Sequence, residues 1–548
     1  MPTIETVLEC DDEELSRRLT PRDDLLVAET PVSGPVEGRH RFECREGPFT
    51  RYRREVEVVP AGPAEAHSYT VTQTISYRLA IPYWWRLYDI VVRRALPSGL
   101  SPGVTPWWCT PDRLDARRST LVAAMALFNL VAGLLYGLLT QVLTFVSADL
   151  GNGSADEQAT VFAVVRVGVV ITAVAMVFAD RVGRRRIALW CFGLSAALTI
   201  VAAISPSLWV LAALQLVSRN LAIAGLLCVD TIAVEELPPG SRAMVTGLGA
   251  LSYGLGAGFI VIALPLADLG EWGWRLTFLV AAVTVPMMVS AAKHLPESGR
   301  FERFAAQRSA SGEPSADTDT GEEIGVEVEV HTERTPGGTD VTVVTESQRV
   351  RGSRFLLIAV IMFLFNVFVA PSSQLQNDYL RAELGYTGLL IAVFTIATGT
   401  PAGLGVLLGG RLADVRGRRA AIIPGFLALA GFTAVFFMTS GAPMWIAKLL
   451  AGVLGTLAVP AMGVIAPELF PTGRRGGVRG ALTTIAVVGS VVGLLGAGTL
   501  VESLGYGTAF LLLAIAPVAA AVLALAIPET RGRELEEINR PDPDQPDR

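Results

Sequence analysis

The chain has 548 residues, of which 51% are hydrophobic, and it carries a formal net charge of −6 at pH 7. Its mean hydropathy of +0.47 is an average that includes long polar stretches. The apolar residues must therefore be concentrated in membrane spans, which excludes an ordinary soluble domain with a single core. The cysteines and histidines are few and scattered, so the sequence predicts no disulfide framework, no metal site and no cofactor.

Residues 1–115 are polar and are predicted to form a cytoplasmic region that contains strands. Three segments, 39–44, 50–59 and 67–79, have the composition of β-strands. Residues 81–96, rich in tryptophan and arginine, are predicted to form an amphipathic helix that lies on the membrane surface. A cleavable signal peptide needs a short apolar stretch near the start, and none is present. We therefore expect the N-terminus to stay in the cytoplasm.

Twelve apolar segments follow, each long enough to cross the hydrocarbon core, which takes about 20 residues. Six lie in residues 116–296 and six in residues 354–530, so the predicted fold is an all-α membrane protein in two six-helix halves. Between them, residues 297–353 form an acidic cytoplasmic linker in which alternating valines predict a β-hairpin. We expect this hairpin to join the N-terminal strands in one small α+β module. Residues 531–548 are predicted to be a cytoplasmic tail.

The positions of the arginines predict the orientation of the spans. Arginine clusters precede the first span and follow the second, eighth and tenth, whereas the opposite connections are acidic or neutral apart from Arg381. By the positive-inside rule both termini lie in the cytoplasm, which requires an even number of spans. The expected location is the cell (inner) membrane, with the lipid bilayer as a partner.

Three short motifs occur twice at nearly the same spacing, which predicts two parallel repeats. Asp-Arg-Val-Gly-Arg-Arg from Asp180 recurs as Asp-Val-Arg-Gly-Arg-Arg from Asp414. Glu-Leu-Pro from Glu236 recurs as Glu-Leu-Phe-Pro from Glu468. Pro-Glu-Ser at the end of the first half recurs as Pro-Glu-Thr at the end of the second.

The arginine-rich motif resembles the signature of the major facilitator superfamily, Gly-x-x-x-Asp-Arg-x-Gly-Arg-Arg. Residues 410–419 match it, whereas the first copy has Met176 in place of the glycine. The Trp-Arg pair in the sixth span and the two Pro-Glu motifs resemble the sugar-porter-like and metabolite-transporter branch. The resemblance covers about residues 115–300 and 353–538, and it implies the major facilitator fold and a transport function.

The resemblance also implies that the two arginine-rich loops are gates that keep the cytoplasmic side closed. The charges support this, because a carboxylate at a helix end can pair with arginine and face the positive N-terminus of a neighbouring helix. The alternative is that the loops only anchor the topology. The predicted gating residues of the first half are Asp180, Arg181, Gly183, Arg184, Arg185, Glu236 and Arg242. Those of the second half are Gly410, Asp414, Gly417, Arg418, Arg419, Glu468 and Arg479.

Two arginines lie near the middle of predicted spans, Arg166 in the second and Arg219 in the fourth. An arginine at that depth costs roughly 2.5–3.5 kcal/mol on insertion scales. Either it is a structural link to a carbonyl or a distant acid, or it binds an anionic substrate group. The sequence shows no carboxylate at the same depth, which favours an anionic or strongly polar substrate over a simple cation. Asp230 shares the Arg219 face of the fourth span and is either an interfacial ion-pair partner or a proton-coupling residue.

Neutral polar side chains follow one face of the first span and one face of the seventh. We interpret them as cavity-lining residues, and the alternative is that they join helices by hydrogen bonds. The predicted substrate-binding residues are Arg166, Arg219, Asn129, Tyr136, Gln141, Asn366, Ser373 and Gln374. Five glycines of the fifth span are predicted to allow close helix contact: Gly247, Gly249, Gly254, Gly256 and Gly258.

The predicted function is secondary active transport of a small polar, anionic metabolite by alternating access, with a proton as the candidate coupling ion. A neutral sugar or polyol is the alternative substrate class. A membrane ligand sensor that does not transport is the alternative from another class. The sequence has no phosphate-binding loop for ATP and no nucleophile–base constellation, so no enzyme activity is predicted. We expect a monomer without a nucleic-acid partner.

Overall fold

The computed structural model describes residues 2–32, 39–60, 68–100, 106, 108–110, 112–238, 241–270, 272–297, 352–470 and 475–529. These residues form an antiparallel sheet with two helices near the N-terminus, followed by long apolar helices. They divide into two compact units. The first comprises Met1–Val146 and Gly168–Arg303, and the second comprises Ser147–Val167 and Phe304–Arg548.

The N-terminal module, part of the first unit, is a five-stranded antiparallel sheet with the strand order β1-β5-β4-β3-β2. Its strands are β1 (Thr3–Cys10), β2 (Ala28–Pro31), β3 (Arg39–Glu46), β4 (Phe49–Pro60) and β5 (Tyr69–Leu79). Its helices are α1 (Asp12–Leu19) and α2 (Trp85–Ala95). The three predicted strands are confirmed as β3, β4 and β5, and the predicted amphipathic helix as the shorter α2. The predicted central hairpin lies outside the described residues and stays a prediction.

Both helices of the module cover the same face of the sheet. The core beneath α2 contains Phe49, Tyr52, Ile75, Tyr77, Val92 and Leu96. The core beneath α1 contains Cys10, Phe42, Val56 and Val71, with Leu15 and Leu19 packed against it. Arg54 lies between Tyr52 and Val56 on this face and forms an ion pair of 2.6 Å with Glu29, both side chains being 0–1% exposed. The core of the module therefore contains one fully buried ion pair.

The first six spans carry the first half of the membrane region. They are Ala116–Leu150, Ala155–Ala179, Arg184–Ala202, Leu208–Ala233, Met244–Asp268 and Gly273–Ala292. Span 2 is divided between the two units at Gly168, because its first part, Ala155–Val167, packs in the second unit. There it contacts the helix Arg475–Leu513.

The second half contains six further spans. Four are Gly352–Glu383, Gly388–Gly410, Arg418–Met438 and Ala442–Gly463, and the last apolar segment is Gly480–Ala524. That segment has 45 residues, about twice the length that one crossing needs. Gly505 within it has non-helical torsion angles (φ 76°, ψ 165°). The eleven apolar segments of the described residues therefore provide twelve spans, with span 11 before Gly505 and span 12 after it.

Spans 1 and 5 approach so closely that their contact requires glycine. A Cβ atom at Gly256 would overlap the carbonyl oxygen of Leu130, and one at Gly133 would overlap the carbonyl oxygen of Tyr253. A larger residue at either position would force the two helices apart. In the second unit, Gly493 of span 11 approaches the backbone of Val367 in span 7 in the same way.

The prediction that the span 5 glycines allow close contact is therefore confirmed only in part. Gly256 meets backbone, and Gly249 approaches the side chain of Met125. No other atom of the described residues lies within 4 Å of the Cβ position at Gly247, Gly254 or Gly258. The sequence predicts a glycine-rich span but not which of its faces is in contact.

Candidate functional site

Arg219 of span 4 is the centre of a buried polar group in the first unit. Its side chain is 4% exposed. The guanidinium carbon lies 3.9 Å from the centroid of the Tyr136 ring, a cation–π contact. One guanidinium nitrogen donates a hydrogen bond of 3.1 Å to the hydroxyl of Thr140. Tyr136 and Thr140 are four residues apart on span 1, so span 1 presents both to the same cation.

Several buried polar atoms of this group have no hydrogen-bond partner among the described residues. They are Nε of Arg219 and both amide atoms of Gln215, one turn earlier on span 4. Across those residues, Arg219 also has no carboxylate within ion-pair distance. An unpaired buried polar group costs roughly 1–3 kcal/mol, and a charged one costs more. The group is therefore suited to a ligand that supplies acceptor atoms and negative charge.

Asp230, the predicted coupling residue, is paired with Asn129. The side-chain amide of Asn129 donates a hydrogen bond of 2.9 Å to Oδ1 of Asp230 and another of 3.1 Å to the carbonyl of Met125. Asp230 makes no ion pair within the part of the chain that the structure describes. The side chains of Arg181 and Arg242 in the arginine-rich loops lie outside the described residues, so the ion-pair interpretation of Asp230 stays a prediction. Asn129 holds the carboxylate, and its predicted contact with substrate also stays a prediction.

The predicted site residues of the second unit bond mostly to their own helix. The amide of Asn366 donates to the carbonyl of Met362, and its oxygen accepts a 3.3 Å hydrogen bond from the hydroxyl of Ser490 in span 11. Ser373 donates to the carbonyl of Ala370. The amide oxygen of Gln374 is buried and has no partner among the described residues. Of these three residues, Gln374 is therefore the one with a buried polar atom that lacks a partner among the described residues.

The two remaining predicted substrate-binding residues are Gln141 and Arg166. Gln141 lies one residue beyond Thr140 on span 1 and is half-buried. Arg166 is half-buried too, but it lies in the part of span 2 that packs in the second unit. Arg166 and Arg219 thus belong to different units, and a joint role for them stays a prediction.

A buried carboxylate that the sequence analysis missed lies near the end of span 7. Asp378 is 2% exposed and accepts a 2.6 Å hydrogen bond from the side-chain amide of Gln158 in span 2. The hydroxyl of Tyr506, next to the bend at Gly505, also donates to it. The segment that contains span 7 continues to Glu383, beyond Asp378. The polar run from Gln374 to Asp378 was the signal that could have revealed it.

The arginine-rich loops have the same geometry in both units. Gly183 and Gly417 each join two helices with a positive φ, 113° and 102°. The backbone N–H of Arg185 donates to Glu297 at 3.1 Å, and that of Arg418 donates to Glu529 at 2.8 Å. Each Pro-Glu motif thus places a carboxylate at the N-terminus of span 3 or span 9, where it is favourable. A Cβ at Gly417 would lie 2.6 Å from the Glu529 carboxylate, so glycine is required there.

Two ion pairs lie near the first loop among the described residues. Arg184 pairs with Glu235, which was not predicted. Glu236 lies 3.8 Å from Arg117, at the start of span 1. In the second loop, Arg419 donates to the carbonyl of Ile527. Gly410 has only Pro460 near it, at 3.9 Å from its Cβ position.

The side chains of several predicted gating residues lie outside the described residues. They are Asp180, Arg181, Arg242, Asp414, Glu468 and Arg479. The contacts that are described stiffen each loop within its own unit, and a latch between the halves stays a prediction. Among the described residues no group of three or more metal-ligating side chains occurs.

The sequence was compared with protein-family models. The model for the Major Facilitator Superfamily matches residues 125–376 and 354–546. The chain belongs to the Major Facilitator Superfamily. Proteins of this superfamily are membrane transporters and not enzymes. The predicted fold class, with twelve spans in two halves, and the predicted general function are thereby confirmed.

The relatives that match include proteins named as sugar and metabolite transporters. The glucose transporter GlcP of Staphylococcus epidermidis is 24% identical over 74% of this chain and 94% of its own length. The inner membrane metabolite transport protein YhjE of Escherichia coli is 27% identical over 56% of this chain and 66% of its own length. The cis,cis-muconate transport protein of Acinetobacter baylyi is 26% identical over 52% of this chain and 64% of its own length.

Solved structures show the same fold. The D-xylose-proton symporter aligns with a TM-score of 0.57 at 15% identity, over 76% of this chain and 99% of its own. The nucleoside transporter NupG aligns with a TM-score of 0.56 at 11% identity, over 74% of this chain and 99% of its own. At such identities the likeness establishes the fold alone. Both alignments cover nearly the whole neighbour but only about three quarters of this superfamily member.

Proposed function

We propose that this superfamily member is a secondary active transporter that moves a small anionic metabolite by alternating access between its two halves. The observation that carries the proposal is Arg219, a buried guanidinium with a tyrosine face, a hydroxyl and no carboxylate partner among the described residues. A cation buried in this way is costly unless an anion completes its surroundings. A carboxylate or phosphate of the substrate supplies that anion, because the guanidinium fork matches either group.

The relatives support an organic anion without identifying it. One of them is named for cis,cis-muconate, a dicarboxylate. Another is named for glucose, and the unpartnered amide atoms of Gln215 and Gln374 favour a ligand with hydroxyl groups. A neutral sugar is therefore the second candidate, and the charge on Arg219 is the feature that distinguishes the two. In either case we place both termini on the cytoplasmic side, from the arginine-rich loops.

The test is uptake by proteoliposomes that contain the purified full-length chain. Wild type is compared with Arg219→Gln and Arg219→Lys, using labelled dicarboxylates, monocarboxylates and glucose. Arg45→Gln is the charge-matched control, because Arg45 is exposed on β3, far along the chain from span 4. Loss of a charge-assisted hydrogen bond should lower anion uptake in Arg219→Gln by roughly 10- to 100-fold, whereas Arg45→Gln stays at the wild-type rate.

The outcomes separate the two substrate classes. Anion uptake that falls in Arg219→Gln and partly recovers in Arg219→Lys supports the anion proposal. Glucose uptake that survives Arg219→Gln, with no anion taken up by wild type, would overturn it and make Arg219 a structural residue. Ligand binding without flux of any substrate would favour the sensor.

We further propose that Asp230 carries the coupling proton, because Asn129 holds this carboxylate and no arginine neutralises it among the described residues. Asp230→Asn should abolish accumulation driven by a pH gradient while equilibrium exchange of substrate continues. Accumulation that persists in Asp230→Asn, at the wild-type ratio of inside to outside concentration, would contradict this role.

A further inference from the structure

The N-terminal module is attached to the membrane helices of its own unit at the level where those helices begin and end. The hydroxyl of Thr120 donates to the carbonyl of Ala80 at 2.8 Å, and the indole N–H of Trp84 donates to the carbonyl of Ala123 at 3.2 Å. Ala123 is seven residues into the helix that starts at Ala116, about 10 Å along its axis. The segment before α2 therefore lies beside the first turns of span 1.

A second attachment joins the module to the end of span 6. The hydroxyl of Tyr83 lies 2.9 Å from the hydroxyl of Ser290 and 3.2 Å from Nδ1 of His294. Tyr83 has a φ of 68°, a left-handed conformation that costs energy for a side chain of this size. Contacts with span 1 and span 6 together place α2 at the membrane boundary.

Helix α2 exposes apolar side chains at this boundary. Its inner side buries Val92 in the core of the module. Trp85, Leu87 and Ile90 are 45%, 66% and 56% exposed. Exposed arginines lie among them on the same helix: Arg86, Arg93 and Arg94. Tryptophan and arginine are both common at the boundary of a membrane, where arginine extends its charge to the headgroups.

The outer face of the sheet has an ordered pattern of charge pairs with one exception. On β3 and β4, opposite charges stand directly across from each other: Arg39 with Glu57, Arg41 with Glu55, and Glu43 with Arg53.

The exception is on β4 and β5, where Arg51 stands directly opposite Arg78. Like charges in directly opposed positions of a sheet destabilise it. Both side chains are exposed, and neither makes an ion pair within the described part of the chain.

This arginine pair borders a cavity of about 780 Å³ at the start of β4 and the end of β5. Arg51, Arg78, Trp85, Asp89, Thr120 and His294 line it. The carboxylate of Asp89 is held by the hydroxyl of Tyr77 at 2.6 Å. The cavity therefore combines two arginines that have no ion pair among the described residues, the start of span 1, the end of span 6 and the Trp85 side of α2.

We propose that this cavity is a binding site for an anionic phospholipid of the adjacent leaflet. Arg51 and Arg78 bind the phosphate, which converts their mutual repulsion into attraction to a shared anion. The acyl chains lie against Trp85 and Ile81, and the site fastens the module to the bilayer. A lipid is favoured over a free phosphate ester because Leu79, Ile81, Pro82 and Trp85 give the cavity an apolar lining.

The test measures lipid binding by the purified full-length chain in a neutral detergent. The protein is titrated with dioleoylphosphatidylglycerol, with dioleoylphosphatidylcholine and with sn-glycerol 3-phosphate, and Tm and bound lipid by native mass spectrometry are recorded. The variant is Arg51→Gln/Arg78→Gln. The matched control is Arg39→Gln/Arg53→Gln, which removes two exposed arginines of the same sheet that already have glutamate partners.

Wild type and the control should bind phosphatidylglycerol with similar midpoints. The variant should need roughly thirtyfold more lipid, because each arginine near an anionic surface contributes a factor of about five. Without lipid, the variant should have a Tm equal to or above that of wild type, since a repulsive pair has been removed. A purely structural role for the two arginines would instead lower the Tm without lipid.

Three results would overturn the proposal. One is a phosphatidylglycerol midpoint that is unchanged in the variant. Another is equal binding of phosphatidylcholine by wild type. The third is full occupancy by sn-glycerol 3-phosphate at the concentrations that suffice for the lipid, which would make the ligand a soluble phosphate ester.

Discussion

The buried ion pair of the N-terminal module allows a quantitative prediction. Glu29 accepts hydrogen bonds from Arg54 at 2.6 Å, from the hydroxyl of Tyr52 at 2.6 Å and from the backbone N–H of Arg22 at 2.9 Å. Replacement of Arg54 by methionine removes the cation and leaves Glu29 charged in the core. Breaking such a pair from one side costs about 3–5 kcal/mol, because a buried charge is left uncompensated.

Hydrogen exchange of the full-length protein measures this loss of stability in the amides of the N-terminal module itself. If the module opens as a unit, a loss of about 3–5 kcal/mol raises the exchange rate of the β2 and β4 amides by roughly 150- to 5000-fold. Peptides from span 9, Arg418–Met438, belong to the other unit and should exchange as in wild type. Arg53→Met is the control, because its exposed pair with Glu43 is worth at most about 1 kcal/mol.

A second variant shows whether the uncompensated charge of Glu29 causes the faster exchange. Arg54→Met/Glu29→Leu removes both charges, so its exchange should be slower than that of Arg54→Met. Two results would refute the reasoning. In one, Arg54→Met exchanges within about fivefold of wild type. In the other, the effects of the two substitutions simply add, since two residues that share a buried charge pair must be coupled.

Three further predictions concern single positions. Gly256→Leu should lower the Tm in detergent by about 3–10 °C, because the leucine side chain collides with span 1. Gly254→Leu is the control and should leave the Tm unchanged, because the space beside Gly254 is open. Equal changes in Tm for the two variants would contradict the packing argument. Burial raises the pKa of the Cys44 thiol to about 11 from 9.0, so at pH 7.5 iodoacetamide should alkylate it about 100-fold more slowly than an unfolded peptide. That rate should rise tenfold per pH unit, and a rate equal to the peptide's would show that the thiol is not shielded. Glu529→Gln should lower the Tm by roughly 2–4 °C, because the side chain caps the N-terminus of span 9 less strongly without its charge. Glu502→Gln is the control and should leave the Tm unchanged, because Glu502 is exposed.

The membrane architecture was predictable because it depends on local composition. Each span is a long apolar stretch, and the bilayer alone requires such a stretch to be helical. Arg219 was identified as an unusual residue for the same reason, since a charge in an apolar stretch is visible in the sequence. Helical spacing also predicts that Tyr136 and Thr140 share one face of span 1, but their contact with Arg219 is visible only in the structure.

The contacts that were missed all depend on residues far apart in the chain. Asp378 is held by Gln158 and Tyr506, which are 220 and 128 residues away. The partner of Arg418 is Glu529, 111 residues further on, although both lie in motifs that the repeat analysis had found. Recurrence of a motif shows that a position matters to both halves, but only the folded backbone shows what it contacts.

The same limit applies to the N-terminal sheet. Strands β3, β4 and β5 are strongly patterned, whereas β2 has only four residues and forms because β3 offers it an edge. Strand β1 pairs with β5, which lies some seventy residues later in the sequence. A short edge strand depends on its neighbour more than on its own composition, so local patterning does not identify it.

The attachment of Tyr83 also constrains the order in which the chain can be assembled. Its partners Ser290 and His294 are 207 and 211 residues further along, at the end of the sixth span. At about 5–20 residues per second, the ribosome needs roughly 10–40 seconds to make the intervening chain. During that time the sheet can form and Trp84 can bind the first span, but the left-handed turn at Tyr83 has nothing to hold it. Final docking of the module is therefore a late event that waits for the sixth span to enter the membrane.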